Sequence, residues 1–227
     1  RTVNSPLPPN RYPASTMASK MNVLAAKMGA GKSQYGLAVE TSTVVQQTEK
    51  TIDFSEKLLK AFIEAKKDLG DTLSAHFEKA ATTSGVYGKS MQNAEAGAVY
   101  ANVQARFAAA AAARRAYAAA IDANQIKVLQ AFKEDCKGAR AAMKGLEAAR
   151  KGVAVAKAKA KGKEDNAELT AAVEAANASA AEVEKNTVAA LVAFNQKAAQ
   201  MVTEMSDKLC PTENELNAAV KAALAPA

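Results

Sequence analysis

Residues 128–152 read VLQAFKEDCKGARAAMKGLEAARKG, and this stretch decides the fold. Val128, Phe132, Cys136, Met143 and Leu146 recur at steps of four, seven and three, the spacing that stacks side chains on one face of an α-helix. The residues between them are mostly alanine and long straight-chain side chains, which favour helix. The same stripe continues upstream through Tyr100, Val103, Phe107, Ala110, Tyr117 and Ile121. One helix is therefore predicted from about 96 to about 161, on the order of 100 Å long at 1.5 Å per residue.

Two neighbours of similar length are predicted beside it. All six prolines lie near the ends, at 6, 8, 9, 13, 211 and 226. Proline breaks helix interiors and is recruited by loops, so a long proline-free interval means few loops and long helices. Val45, Thr48, Ile52, Leu59, Phe62, Leu69 and Leu73 mark a first helix over 33–81, with Ser55 and Lys66 completing its register. Leu169, Val173, Ala176, Ala180, Val183, Thr187, Leu191, Phe194, Ala198, Val202, Met205 and Leu209 mark a third, which Pro211 is expected to stop. A short helix over 213–223 is expected beyond it. Gly85, Gly88 and Gly97 are read as the first turn. The second is placed at 162–166, with Asp165 or Asn166 as helix cap. Gly138, Gly145 and Gly152 repeat every seven residues, which points to close approach of a neighbouring helix or a bend. The fold class is all-α: three long antiparallel helices in an elongated coiled-coil bundle. The expected organisation is an extended tail over 1–15, a basic amphipathic helix over 16–34, the bundle over 35–210 and a tail over 211–227. A seam this rich in alanine buries little, so a homodimer is expected.

Composition excludes several function classes. The single histidine, His76, builds neither a triad nor a zinc site, and Cys136 and Cys210 lack metal-ligand spacing. No window approaches the roughly 18 apolar residues of a spanning helix. Gly29-Ala30-Gly31-Lys32-Ser33 resembles the end of a phosphate-binding loop, but Ala26 occupies the position of its first glycine. No enzyme activity, cofactor or metal is expected.

The charge is concentrated. The chain carries +7 overall, whereas residues 127–163 hold eleven basic side chains against Glu134, Asp135 and Glu147. Lys133, Lys137, Arg140 and Lys144 step by four, three and four along one helix face. Arg150 and Lys151 follow, and Lys157, Lys159, Lys161 and Lys163 crowd the helix end. Mixed-sign helix faces are the usual solvated surface, and acids are too few here for that pattern. These ten residues are the predicted anion-binding surface. Upstream, Met17, Met21, Leu24 and Met28 share a face opposed by lysines. They fit either insertion into a membrane interface or docking on the bundle.

The segments 128–152, 153–169 (VAVAKAKAKGKEDNAEL) and 171–205 together resemble the second helix, tip and third helix of the BAR-domain family. That resemblance implies a crescent-shaped dimer. It also implies lipid contacts at Lys133, Lys137, Arg140 and Lys144 on the concave face, and at Lys157, Lys159, Lys161 and Lys163 on the tip. The expected function is a non-enzymatic scaffold that binds and shapes or senses anionic membranes. The expected location is peripheral to a membrane, cytoplasmic or organellar (mitochondrion or plastid), neither transmembrane nor secreted. The alternative is a structural subunit or linker of a large organellar complex. Nucleic acid is set aside as a partner because no recognition module accompanies the lysines.

Overall fold

The computed structural model describes residues 39–163 and 165–225. The chain divides into two compact units, Arg1–Thr43 and Val44–Ala227. Of the first, residues 39–43 are described; they open a helix, and Thr43 Oγ1 donates to Val39 O at 2.9 Å. The second unit holds the bundle.

Apart from two turns and the last described residue, the described residues are helical, and no strand occurs among them. Helix α1 (Val39–Ala65) passes through a π-helical segment, Lys66–Thr72, into α2 (Leu73–Ser90). After the turn at Met91–Asn93, α3 (Ala94–Ile121) passes through a second π segment, Asp122–Ile126, into α4 (Lys127–Ala160). Helix α5 (Ala167–Leu224) completes the three long helices of the described residues. Both turns are closed by the same device. Asn93 Oδ1 accepts from Glu95 N at 2.8 Å and Ala96 N at 3.4 Å, and Asn166 Oδ1 accepts from Glu168 N and Leu169 N at 3.1 Å. Each asparagine satisfies amides left orphaned at a helix start, and each is followed by a glutamate that the helix dipole favours. Gly162 adopts a φ of +74°, the left-handed conformation that glycine enters without steric cost.

The long helices run antiparallel. Along the first pair, Tyr87 stacks on Tyr100, Phe77 on Phe107, Lys66 meets Asp122 and Ser55 meets Cys136. Along the second, Gln125 meets Met205, Phe132 stacks on Phe194 and Arg150 pairs with Glu184. The core between them is small-sided and partly polar. Ala110, Ala111, Ile121 and Leu191 are fully buried, and so are Thr48 and Gln125.

Several expectations are corrected. The core seam shifts phase by one residue within each of the first two long helices. Leu59 and Ser74 are both buried but stand fifteen positions apart, one more than two heptads. Tyr117, Ala118 and Ile121 are followed, each eight positions on, by buried Gln125, Ile126 and Leu129. A π turn accommodates one extra residue, which accounts for both shifts. Consequently Lys66 is outside the core and Leu69 is 44% exposed, while Gly70 and Ser74 take the inward places. Leu129, not Val128, is the buried residue on the far side of the second segment.

The first turn lies at Met91–Asn93; Gly85, Gly88 and Gly97 are all helical. They mark close helix approach instead. A Cβ on Gly88 would lie 3.0 Å from Tyr100 Cβ and 3.5 Å from Gly97 O. Gly138, Gly145 and Gly152, expected at such a contact, have no neighbour within 4 Å of where a Cβ would stand. They face outward. Nor does Pro211 end the third helix, which continues to Leu224. Its continuation buries Thr212 and Leu216, and that docking offsets the missing amide.

Candidate anion-binding surface

Helix α4 presents the predicted basic residues, and its packing decides which remain available. The core side of α4 is fixed by Leu129, Phe132, Cys136, Ala139, Leu146 and Val153. Lys133, Lys137, Arg140 and Lys144 are all exposed, flanking that stripe. Near the end of α4, Lys157, Lys159, Lys161 and Lys163 are exposed as well. The last of these sits in the turn to α5.

Four of the ten predicted residues have acidic partners. Lys137 pairs with Glu134 at 2.7 Å and Lys151 with Glu147 at 2.7 Å, both along α4. Arg140 reaches across to Glu56 on α1 at 2.8 Å. Arg150 pairs with Glu184 on α5, where both side chains are partly buried. Arg140 and Arg150 therefore fasten neighbouring helices to α4. Glu56 and Glu184 are distant in sequence, so the local charge count over 127–163 did not see them. Among the described residues, Lys133, Lys144, Lys157, Lys159, Lys161 and Lys163 form no ion pair within 4 Å. Asp165 and Glu168 follow the lysine-rich end directly and temper its field from the start of α5. Met17, Met21, Leu24 and Met28 lie outside the described residues.

The geometry at the end of α4 is that of a shallow open groove. Lys157, Ala158, Ala160 and Lys161 line one side and Val173 of α5 the other. Two lysines thus share this lining with small apolar residues. Lysine is a compact, strongly hydrated point charge without arginine's fixed fork, so such a cluster attracts anions with little geometric selectivity.

Two further polar features and one apolar surface stand apart from the basic set. Lys66 Nζ lies 2.8 Å from Asp122 Oδ1, and Lys127 Nζ lies 3.3 Å from the other oxygen of the same carboxylate. Hydrogen bonds from these two lysines hold the Asp122 carboxyl below the usual range, and the Asp122 bond raises Lys66. Cys136 is buried beside Ser55, with sulfur and oxygen 3.6 Å apart. Burial pushes its thiol up, so it is no activated nucleophile. At the opposite end from the lysines, the α2–α3 hairpin exposes Val86, Tyr87, Met91 and Val99.

No protein-family model, curated protein or solved structure matches the chain. Among the described residues, no helix is long and apolar enough to cross a membrane, and no cluster of His, Cys, Asp and Glu could hold a metal ion.

Proposed function

We propose that the protein is a non-enzymatic scaffold that attaches to anionic membrane surfaces through α4 and its lysine-rich end, as the BAR-like pattern of its sequence implies. The observation that carries this reading is the set Lys133, Lys144, Lys157, Lys159, Lys161 and Lys163, exposed along α4 and the turn that follows it and without ion-pair partners among the described residues. A basic side chain close to an anionic leaflet contributes about 1 kcal/mol. The four end lysines then add about 4 kcal/mol, on the order of 10³-fold in partitioning. Such attraction is screened by salt. Attachment as a homodimer doubles the number of lysines presented.

The test is co-sedimentation with vesicles of anionic or neutral lipid at two salt concentrations. Wild type is expected to pellet with anionic vesicles at low salt only. Charge reversal at Lys157, Lys159, Lys161 and Lys163 is expected to abolish pelleting, and pelleting that survives reversal rejects the mechanism.

A second reading, a structural subunit of a larger assembly, is favoured by the exposed Val86, Tyr87, Met91 and Val99 on the far hairpin. Exposed apolar side chains gathered on one hairpin are the kind of surface that protein contacts cover. Isolation of the native protein separates the two: a stoichiometric complex supports the subunit reading and a free dimer opposes it.

A further inference from the structure

Each long helix carries one irregularity, and the three fall within one short stretch of the bundle. In the first it is the π segment Lys66–Thr72, in the second the π segment Asp122–Ile126. In the third it is Pro211, which sits inside α5. Among the described residues the long helices contain no other π segment and no other proline.

Contacts place them. The two π segments begin at residues that touch, since Lys66 Nζ and Asp122 Oδ1 are 2.8 Å apart. Arg114 Nη1 donates to Leu69 O within the first segment at 3.3 Å, and a Cβ on Gly70 would come within 2.6 Å of Ala118 Cβ. Gln125, in the second segment, donates from Nε2 to Met205 O of α5 at 3.3 Å. Helix α5 runs antiparallel to the second long helix, and Pro211 stands six residues beyond Met205. Pro211 therefore faces the last turns of α3, just before the second π segment.

π segments and prolines are two of the few features that bend helices sharply. Proline removes the amide that would bond the carbonyl four residues back. Two polar atoms in this stretch are also unsatisfied. The Oε1 of Gln125 and the Nε of Arg114 are buried without a hydrogen-bond partner among the described residues. Bending at any one helix would be resisted by two straight neighbours. Irregularities that adjoin within a few turns weaken that resistance.

We propose that these three elements form a transverse joint, about which α2 and α3 bend relative to α4 and the first part of α5. The joint does not depend on what the basic surface binds. It gives the bundle two stiff arms and one compliant plane, in place of uniform compliance along its length.

The test uses the full chain with Cys136→Ala and Cys210→Ser, spin-labelled in pairs. Thr82→Cys with Ala141→Cys spans the joint, and Ala141→Cys with Ala178→Cys lies on one side of it. The spanning pair is expected to give a broad distance distribution and the control pair a narrow one. Deleting Lys67 and Ala123 closes both π turns, and Pro211→Ala restores the third ladder. In that variant the spanning distribution is expected to narrow to the width of the control. Because one-residue deletions restore the seven-residue repeat, the helical circular dichroism signal is expected to persist. Should the deletions unfold the chain, Pro211→Ala alone must still narrow the spanning distribution. A spanning pair as narrow as the control in the unaltered helices, or one unchanged by Pro211→Ala, overturns the proposal.

Discussion

Replacing Gly138, Gly145 and Gly152 together by alanine is expected to raise the melting temperature. All three are helical and exposed, and none has a neighbour within 4 Å of an added Cβ. The substitution therefore meets no steric penalty and restricts only the unfolded chain and the frayed helix. Glycine in a helix interior costs roughly 0.5–1 kcal/mol relative to alanine. Three such changes, far enough apart to add, total about 1.5–3 kcal/mol. A chain of this size shifts by roughly 2–4 °C per kcal/mol, so an increase of about 3–12 °C is expected by circular dichroism or calorimetry. Gly70→Ala is the matched control. There the new Cβ would stand 2.6 Å from Ala118 Cβ and 3.1 Å from its Cα, so helix backbones must separate. That variant is expected to lose about 1–3 kcal/mol, the usual cost of overpacking. A triple variant that melts no higher than wild type would refute the reasoning, because it would mean that the glycine face is in contact with something or that α4 is not a continuous helix in solution.

Asp122→Asn is expected to destabilise the protein near neutral pH, with the difference vanishing in acid. The carboxyl is held below its usual value by Lys66 and Lys127. Its contribution is therefore complete above about pH 4, its unfolded value, and is lost as pH falls through the depressed folded value. Melting temperature against pH for the two proteins checks this. Asn93→Ala and Asn166→Ala each remove two side-chain bonds to helix-start amides and are expected to cost about 1 kcal/mol. Denaturant titration reads both, and a loss-free variant would exclude capping. Cys210 is exposed and Cys136 buried with a raised thiol pKa, so an alkylating reagent is expected to modify one cysteine rapidly and the second only on denaturation. Two rapid modifications in the folded protein would contradict the burial of Cys136.

What the sequence made legible follows from which signals are additive along a chain. The three long helices were legible because proline is absent over most of the length and the apolar stripes are long. The third seam held through Ala180, Thr187, Leu191, Phe194, Ala198 and Met205, all of them buried. The π segments were hidden because an inserted residue changes only phase. Lys66, Leu69 and Leu73 continued the heptad in sequence while Gly70 and Ser74 took the core. Pro211 was misread because its local cost is visible and the distant docking of Thr212 and Leu216 is not. Glycine spacing misled for the same reason: the regular set faces outward, and the irregular Gly70, Gly85 and Gly88 meet neighbours. At the candidate site, exposure of the lysines was legible from their absence from the apolar stripe. The partners of Arg140 and Arg150 were not, because they come from other helices.

The polar residues inside the bundle have a consequence of their own. Alanine stripes are nearly self-similar, so two such helices can slide by a whole repeat and pack almost as well. Thr48 accepts from Asn195 at 3.1 Å, Gln125 reaches Met205 O, and Ser55 meets Cys136. Each of these pairings is made at one offset only, and a slipped arrangement would strand every member in an apolar surround. The seam thus sacrifices some adhesion to gain a single alignment, which is what a chain needs when its helices are longer than their side chains can discriminate.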